Sequence, residues 1–251
     1  MSAENGHPPR RLGVISDIHS NLEALQAVLK ALEHHRVDQI VCCGDVVGYG
    51  ASPNECVELL RERNIPSVLG NHDAAVLDDA ELAHFNHMAR DAAIWTREVM
   101  TKENIEWLRA QPMRLNVTDE TLLVHASPKK PEEWNYVLFY ADATEAFQSF
   151  TERICFIGHS HQPFFIALMG DRLSHLQQRE VRFGEGGRHL VNVGSVGQPR
   201  DRDWRAAYLV VDYKDRWMAL EREPYDLKTA QEKILQVGAA PELAERLESG
   251  C

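Results

Sequence analysis

The sequence has no apolar run approaching the roughly 20 residues that a membrane span requires, so no transmembrane segment is expected in its 251 residues. Residues Met1 to Pro9 lack the apolar centre of a secretory signal; they are polar and proline-containing and read as a flexible tail. C-x-x-C is absent, and the cysteine count, five, is odd. Buried or incidental thiols in a reducing cytoplasm account for this better than a disulfide framework or a cysteine zinc cluster. A basic excess is missing too. Lys and Arg number 27 against 38 Asp and Glu, a formal charge of −11, which argues against a general affinity for nucleic acid. Internal repeats, low-complexity tracts and linker-like breaks are also absent, so residues 1–251 are expected to form one cytoplasmic domain. What is present is an ordinary globular composition, 44% hydrophobic and 26% charged, enough for a full core.

The early chain alternates strand and helix patterns. Arg11–Ser16 reads as a strand. Ser20 and Glu23 have capping-box spacing, and Leu22, Leu25, Leu29 and Leu32 recur at helical intervals to about His34. Gln39–Cys43 is a second strand. Ser52 and Pro53 start a helix that runs to about Arg63, and Pro66–Leu69 is a third strand. Two such units predict parallel strands with right-handed crossovers. Ala80–Ala110 reads as helix in two or three pieces. Leu115–Val117 and Thr121–Val124 form a hairpin, Asp142–Thr151 a helix, and Ile154–Ile157 and Phe164–Leu168 strands. Strands follow at Leu190–Val193, Ala206–Val211 and Trp217–Leu220, with helices near Lys228–Val237 and Pro241–Ser249. Trp95 and Trp107 fall on helix and are expected in the core. The order predicts an α/β fold in which two sheets pack face to face with helices outside.

Five polar clusters each follow one of these strands: Asp17-Ile18-His19, Gly44-Asp45, Gly70-Asn71-His72-Asp73, His125 and Gly158-His159-Ser160-His161. In open α/β sheets ligands bind at the carboxyl ends of strands, so the clusters are expected along one rim. Residues i and i+2 of extended chain face one side, which lets Asp17 converge with His19 and His159 with His161. Singly, each cluster has an ordinary explanation as a turn, a helix cap or a satisfied histidine. Their conjunction, in order and after strands, points to metal. Carboxylate, imidazole and amide together suit manganese, iron or zinc better than magnesium or calcium. Seven such groups exceed what one cation takes; two cations about 3.5–4 Å apart would use them all.

The series D-x-H, G-D, G-N-H-D, H, G-H-x-H resembles the calcineurin-like metallophosphoesterase superfamily. "SDIHSNLEAL" (Ser16–Leu25), "CGDVVGYG" (Cys43–Gly50) and "GSVGQPRD" (Gly194–Asp201) are similar to its small bacterial and archaeal members. The resemblance spans Leu12 to about Asp212. It implies a four-layer sandwich of two mixed β-sheets flanked by α-helices. It further implies that Asp17, His19 and His161 hold one metal, that Asn71, His125 and His159 hold the other, and that Asp45 bridges them. Manganese or iron would come first, zinc or nickel after. His72 would face the scissile ester without binding metal and serve as general acid. The implied reaction is hydrolysis of a small-molecule phosphate mono- or diester, nucleotide esters included, by a metal-bridging hydroxide. Two dications would also turn the local field positive in an acidic protein.

One element of the pattern is missing. Protein Ser/Thr phosphatases and symmetrical dinucleoside tetraphosphatases of the superfamily carry a phosphate-clamping arginine shortly after G-D, where this chain reads Val46-Val47-Gly48-Tyr49-Gly50. Phosphoprotein phosphatase activity is therefore not expected. Arg200 or Arg202 either supplies a substitute cation or is a solvated charge on a tight turn. Asymmetric cleavage of dinucleoside polyphosphates is an alternative activity. A non-catalytic scaffold of the same fold is a third reading, disfavoured because neither an implied metal ligand nor the His72 position is missing.

Overall fold

The computed structural model describes residues 9–184 and 186–251; the tail read at Met1–Pro9 lies, except for Pro9, outside the described residues. The elements are β1 (Arg11–Ile15), α1 (Leu22–His34), β2 (Gln39–Cys42), α2 (Pro53–Glu62), α3 (Asn71–Leu77), α4 (Asp79–Leu82), α5 (His87–Val99) and α6 (Lys102–Arg109). Then come β3 (Arg114–Thr118), β4 (Thr121–Val124), a 3-10 turn at Pro131–Glu133, α7 (Tyr140–Phe147), β5 (Ile154–Ile157) and β6 (Phe164–Met169). The chain closes with β7 (Arg172–Leu176), β8 (Glu180–Arg182), β9 (Gly187–Asn192), β10 (Ala206–Asp212), β11 (Trp217–Glu223), α8 (Leu227–Gln236) and α9 (Pro241–Ser249).

One sheet has the order β2-β1-β10-β11-β8 and the other β3-β4-β5-β9-β6-β7. Both are mixed: β1 and β2 run parallel while β10 is antiparallel to β1, and β4, β5 and β9 run parallel while β6 opposes β9. The two-residue side-chain period sorts each strand between layers. Leu12, Val14, Val41, Leu209 and Val211 face Leu123, Ile154, Phe156 and Val191 of the other sheet, forming the central core. On the opposite face of the first sheet, Ile15, Cys42, Tyr208 and Val210 pack on Leu25, Val28 and Leu32 of α1 and Val57 and Leu60 of α2. Leu122, Val124, Cys155 and Ile157 cover Ala143, Ala146 and Phe147 of α7. Strands buried on both faces need nearly continuous apolar sequence, which is why they are legible. This is the expected four-layer α/β sandwich.

Five local expectations differ. Asn21, not Ser20, caps α1: its Oδ1 accepts from the Ala24 amide at 3.1 Å, while Ser20 sits at positive φ and Glu23 is drawn to Lys233 of α8. Pro66–Leu69 makes one bridge, Ser67 to Cys42, instead of a strand, because Pro66 lacks an amide proton and the chain enters α3 at Asn71, four residues after the bridge. Helix α3 itself was unforeseen, as its opening residues read as a turn. Strands β7 and β8 were also missed; β7 is an edge strand of mixed polarity joined to β6 by Gly170-Asp171. The helix expected at Asp142 begins at Tyr140, with the Asp142 carboxylate accepting from the Phe139 amide at 2.9 Å. Trp107 packs against the core under α1 and α2, and Trp95 is half-buried. Cys42, Cys43, Cys56 and Cys155 are buried free thiols, and Cys251 is exposed. No helix among the described residues is long and apolar enough to cross a membrane.

Candidate metal centre

Parallel β1 and β2 in one sheet, and β4 and β5 in the other, direct their carboxyl ends to a common rim. Backbone hydrogen bonds continue beyond the strands and lock the rim loops together. The Asp17 amide donates to Gly44 O at 3.0 Å, Gly158 to His125 O at 2.8 Å, and Val196 and Gly197 to Ser16 O and Asp17 O at 2.9 Å. The loops then depart from extended geometry. Asp17, His19, Asp45, His159 and His161 all have φ between 49° and 66°, a conformation uncommon outside glycine and costly without local over-determination. Asp17 and His19 converge, as do His159 and His161, but through left-handed backbone and not through the extended chain expected. Gly70 and Gly158 are required for closeness: a Cβ on Gly70 would lie 2.1 Å from Asp45 Oδ1, and one on Gly158 2.2 Å from Asp17 Oδ2.

All seven side chains singled out as ligands meet here. Asp17, His19, Asp45 and His161 form one buried group, and Asp45, His125 and His159 another. Asn71 joins the second group, its Oδ1 3.0 Å from His125 Nε2. Asp45 Oδ2 stands between them, 3.6 Å from His19 Nε2 and 3.3 Å from His125 Nε2. Its other oxygen accepts from the His72 amide at 2.8 Å. Asp17 accepts from the His159 amide at 3.1 Å and lies 3.3 Å from His161 Nε2.

The tautomers follow from the outer contacts. A carbonyl can only accept, so Nδ1 of His19 donates to Val47 O at 3.1 Å, Nδ1 of His125 to Cys43 O at 2.8 Å, and Nδ1 of His161 to Gln198 O at 2.6 Å. In the neutral rings Nε2 is then a lone pair aimed inward, the arrangement that orients a ligating imidazole. His19 Nε2 and His161 Nε2 are 3.0 Å apart. Two lone pairs at that distance repel unless positive charge lies beside both. Ligands about 2.0–2.1 Å from one ion and at roughly right angles would be about 3 Å apart. The donor set therefore fits metal.

Charge is distributed accordingly. Burial, followed by His161, pushes His19 well below its ordinary value, and burial pushes His159 down to about 3; both are neutral near pH 7. Burial alone would raise Asp45, but His125 and His72 outweigh it and hold the carboxyl well below the usual range. Burial opposes a charge on His125, yet Asp45 raises it to about 9. A proton on His125 or a cation satisfies that oxygen-rich pocket.

His72 does not join either group. Its ring lies against Tyr49, Phe85 and His19, with centroids 4.4, 4.6 and 4.8 Å away. It faces a cleft of about 520 Å³ that Phe85, Trp134, Tyr136 and His159 also line. Burial holds its imidazole at about 4. Asp73 does not orient that ring; its carboxylate accepts from the Val47 and Gly70 amides, both at 3.1 Å, and ties two rim loops together. Arg200 lies beside the rim, its guanidinium 5.8 Å from the Tyr49 centroid and its Nη2 2.9 Å from Gln198 Oε1. Arg202 is exposed, its amide donating to Gly250 O. Sequence reasoning missed Tyr49, Tyr136 and Gln198. Tyr49 lies in the quoted Cys43–Gly50 segment and Gln198 in the quoted Gly194–Asp201 segment, where glycine density was the available signal. Tyr136, stacked on His159 at 4.0 Å between centroids, had none.

Comparison with known proteins agrees with this geometry. Residues 11–216 match the calcineurin-like phosphoesterase superfamily domain. An uncharacterized protein of Methanocaldococcus jannaschii is 42% identical over 239 residues, covering 94% of this chain and 96% of its own length. The crystal structure of a metallophosphoesterase from Sphaerobacter thermophilus superposes with a TM-score of 0.83 at 37% identity, over 96% of this chain and 99% of that one. A hypothetical protein from Pyrococcus horikoshii shares the fold, with a TM-score of 0.77 at 19% identity over 96% and 98% of the two chains. The chain belongs to the calcineurin-like metallophosphoesterases and is a hydrolase of phosphate esters.

Proposed function

We propose that the protein hydrolyses a small-molecule phosphate mono- or diester, nucleotide esters included, at a dinuclear centre. Asp17, His19 and His161 would hold one divalent transition metal ion and Asn71, His125 and His159 the other, with Asp45 shared. Manganese or iron suits this nitrogen–oxygen donor set, and zinc or nickel would also be accepted. The observation that carries the reading is the pair of inward Nε2 lone pairs on His19 and His161, 3.0 Å apart with both Nδ1 atoms committed to carbonyls. When bound, two such cations supply charge neutralisation and a water acidic enough to attack at neutral pH.

The chain's own groups do the rest. The rim carbonyls of Val47, Cys43 and Gln198 fix the three tied imidazoles, so the phosphate meets a preorganised site. The aromatic cleft beside His72 and His159 takes the leaving group and limits water. His72 gives the departing oxygen its proton. Burial holds the free imidazole at about 4, and an arriving phosphate, being anionic, favours its protonated form. Arg200 binds the phosphate in place of the arginine absent after Gly44-Asp45. Residues 1–251 act as one domain: α8 and α9, beyond the matched segment, pack Ala230, Ile234, Leu243 and Leu247 around Tyr49 at the rim.

The test is a panel of mono-, di-, cyclic and dinucleoside polyphosphate esters offered to manganese-loaded protein, with metal measured by elemental analysis. Turnover of at least one ester class with about two metals per chain is expected. Full activity in a rigorously metal-free preparation would overturn the reading.

A further inference from the structure

Two arginines converge beside the centre without a carboxylate between them. Arg200 follows the Gly194–Gln198 loop, and Arg246 comes from α9, outside the segment matched to the family. Arg200 Nη2 donates to Gln198 Oε1 at 2.9 Å and Arg246 Nη1 to the same oxygen at 3.4 Å. Their guanidinium carbons lie 5.8 and 5.9 Å from the Tyr49 centroid, and Tyr49 in turn touches His19 and His72. Gln198 is tied to the centre by its own carbonyl, which accepts from His161 Nδ1.

No ion pair among the described residues compensates the charge of either arginine. On the same stretch of chain, Arg205 is neutralised by Asp203 and Arg222 by Asp201. Among the described residues neither Arg200 nor Arg246 has an ion-pair partner, in a chain with 38 acidic residues. Arg246 Nε is buried with no hydrogen-bond partner. Burial and the charge of Arg200 hold the Arg246 guanidinium below its ordinary range. Two cations that share one neutral acceptor repel, and a buried donor left unmade is costly. The arrangement is not an accident of a loose helix end. Leu243 and Leu247 anchor α9 in the cluster around Tyr49, and the Arg202 amide donates to Gly250 O at 2.9 Å.

We propose that Arg200 and Arg246 form a paired guanidinium seat for a phosphate-class oxyanion of the substrate, with Arg246 a substrate-binding residue supplied by the closing helix. This rests on the phosphoesterase reading above and extends it. Planar forks bind phosphate oxygens bidentately, and an anion here would satisfy Nε of Arg246 and remove the like-charge repulsion. The oxyanion is either the phosphoryl group under attack or a second phosphate on the same molecule.

The experiment uses the manganese-loaded full chain and two variants. Arg246→Met keeps the apolar stem and removes the charge, and Arg246→Lys keeps the charge. Steady-state kinetics are measured on p-nitrophenyl phosphate, adenosine 5′-monophosphate and adenosine 3′,5′-bisphosphate, with inorganic phosphate as inhibitor. Arg246→Met should raise KM by about tenfold to a hundredfold while kcat changes less than about threefold, and Arg246→Lys should recover part of the loss. A loss on all substrates, with a matching rise in the inhibition constant of inorganic phosphate, assigns the seat to the scissile phosphate. A loss confined to the bisphosphate assigns it to a second one. Unchanged KM on every substrate, or a fall in thermal stability with KM unchanged, would overturn the proposal. If the wild-type protein hydrolyses none of the three, the phosphoesterase reading of substrate class fails first. Calorimetric binding of inorganic phosphate, expected in wild type and lost in Arg246→Met, then tests the seat by itself.

Discussion

On one side of Asp45, His19 and His161 are both tied through Nδ1 to loop carbonyls, and Asp17, fully buried, is roofed by the His159 amide. On the other side only His125 is tied. Asn71 is held as the first residue of α3, and His159 relies on stacking against half-exposed Tyr136 with its Nε2 unpartnered. The first side is closed beneath the Gly194–Gln198 loop. The second opens into the aromatic cleft through Asn71 and His159. Asp45, common to both groups, thus joins two environments of unequal rigidity: one preorganised by backbone, the other resting on a side chain that lines the cleft. An ion on the closed side should exchange slowly and one on the open side readily.

The severest way to break this comparison is Asp45→Ala, which removes the group common to both sides. Metal content should fall towards zero after loading, and turnover should drop by more than about a hundredfold, beyond what outer contacts cost. Two metals retained by elemental analysis would show that Asp45 is not shared.

His72→Ala tests the open side without touching either donor group. Both metals should remain. Hydrolysis of alkyl phosphates should slow by about 10²–10⁴-fold, while p-nitrophenyl esters, whose phenolate leaves unaided, should suffer far less. Equal losses on both leaving groups would assign His72 to phosphate positioning instead.

A smaller effect sharpens the asymmetry. Tyr136→Ala removes the ring stacked on His159 and should weaken one of two manganese-binding steps by about tenfold, with the tighter step unchanged in a metal titration. Equal weakening of both steps would remove the distinction between the sides.

The smallest effect on the centre is expected at the far end of β10. Burial would raise Asp212, but Arg11 Nε at 2.8 Å and the Asp215 amide hold its carboxyl below the usual value. Such a group stabilises the fold above its unfolded value of about 3.9 and loses that contribution as pH falls through the lower folded value. Asp212→Asn should cost about 1–3 kcal/mol at pH 7, the deficit shrinking below pH 4 in denaturant titrations, with two metals still bound. A deficit that persists unchanged in acid would mean the residue acts through packing alone.

The parts of the fold that could be read from the chain are those governed by short-range pattern. Ile154–Ile157 and Pro241–Ser249 match their elements at both ends, one a continuous apolar run for a strand buried on both faces, the other a proline-started amphipathic helix. Strand β7 was illegible because an edge strand need not be apolar, and α3 because Gly-Asn-His-Asp favours turn and helix start alike. Ser20 lost the cap to Asn21 because its backbone is left-handed, a constraint imposed by rim contacts that local propensity does not contain.

The sequence alone sets the inventory and its order: two β-α repeats, five polar clusters, four of them after strands and the fifth after the single Ser67–Cys42 bridge, and a resemblance specific enough to name a superfamily. It does so because strand polarity and ligand chemistry are written residue by residue. Only the tertiary structure decided which nitrogen of each histidine points inward, since the carbonyls of Val47, Cys43 and Gln198 that select the tautomers lie 28, 82 and 37 residues from the rings they hold. Only it brought Arg246 beside Arg200, because helix packing around Tyr49, and no spacing along the chain, closes those 46 residues of separation.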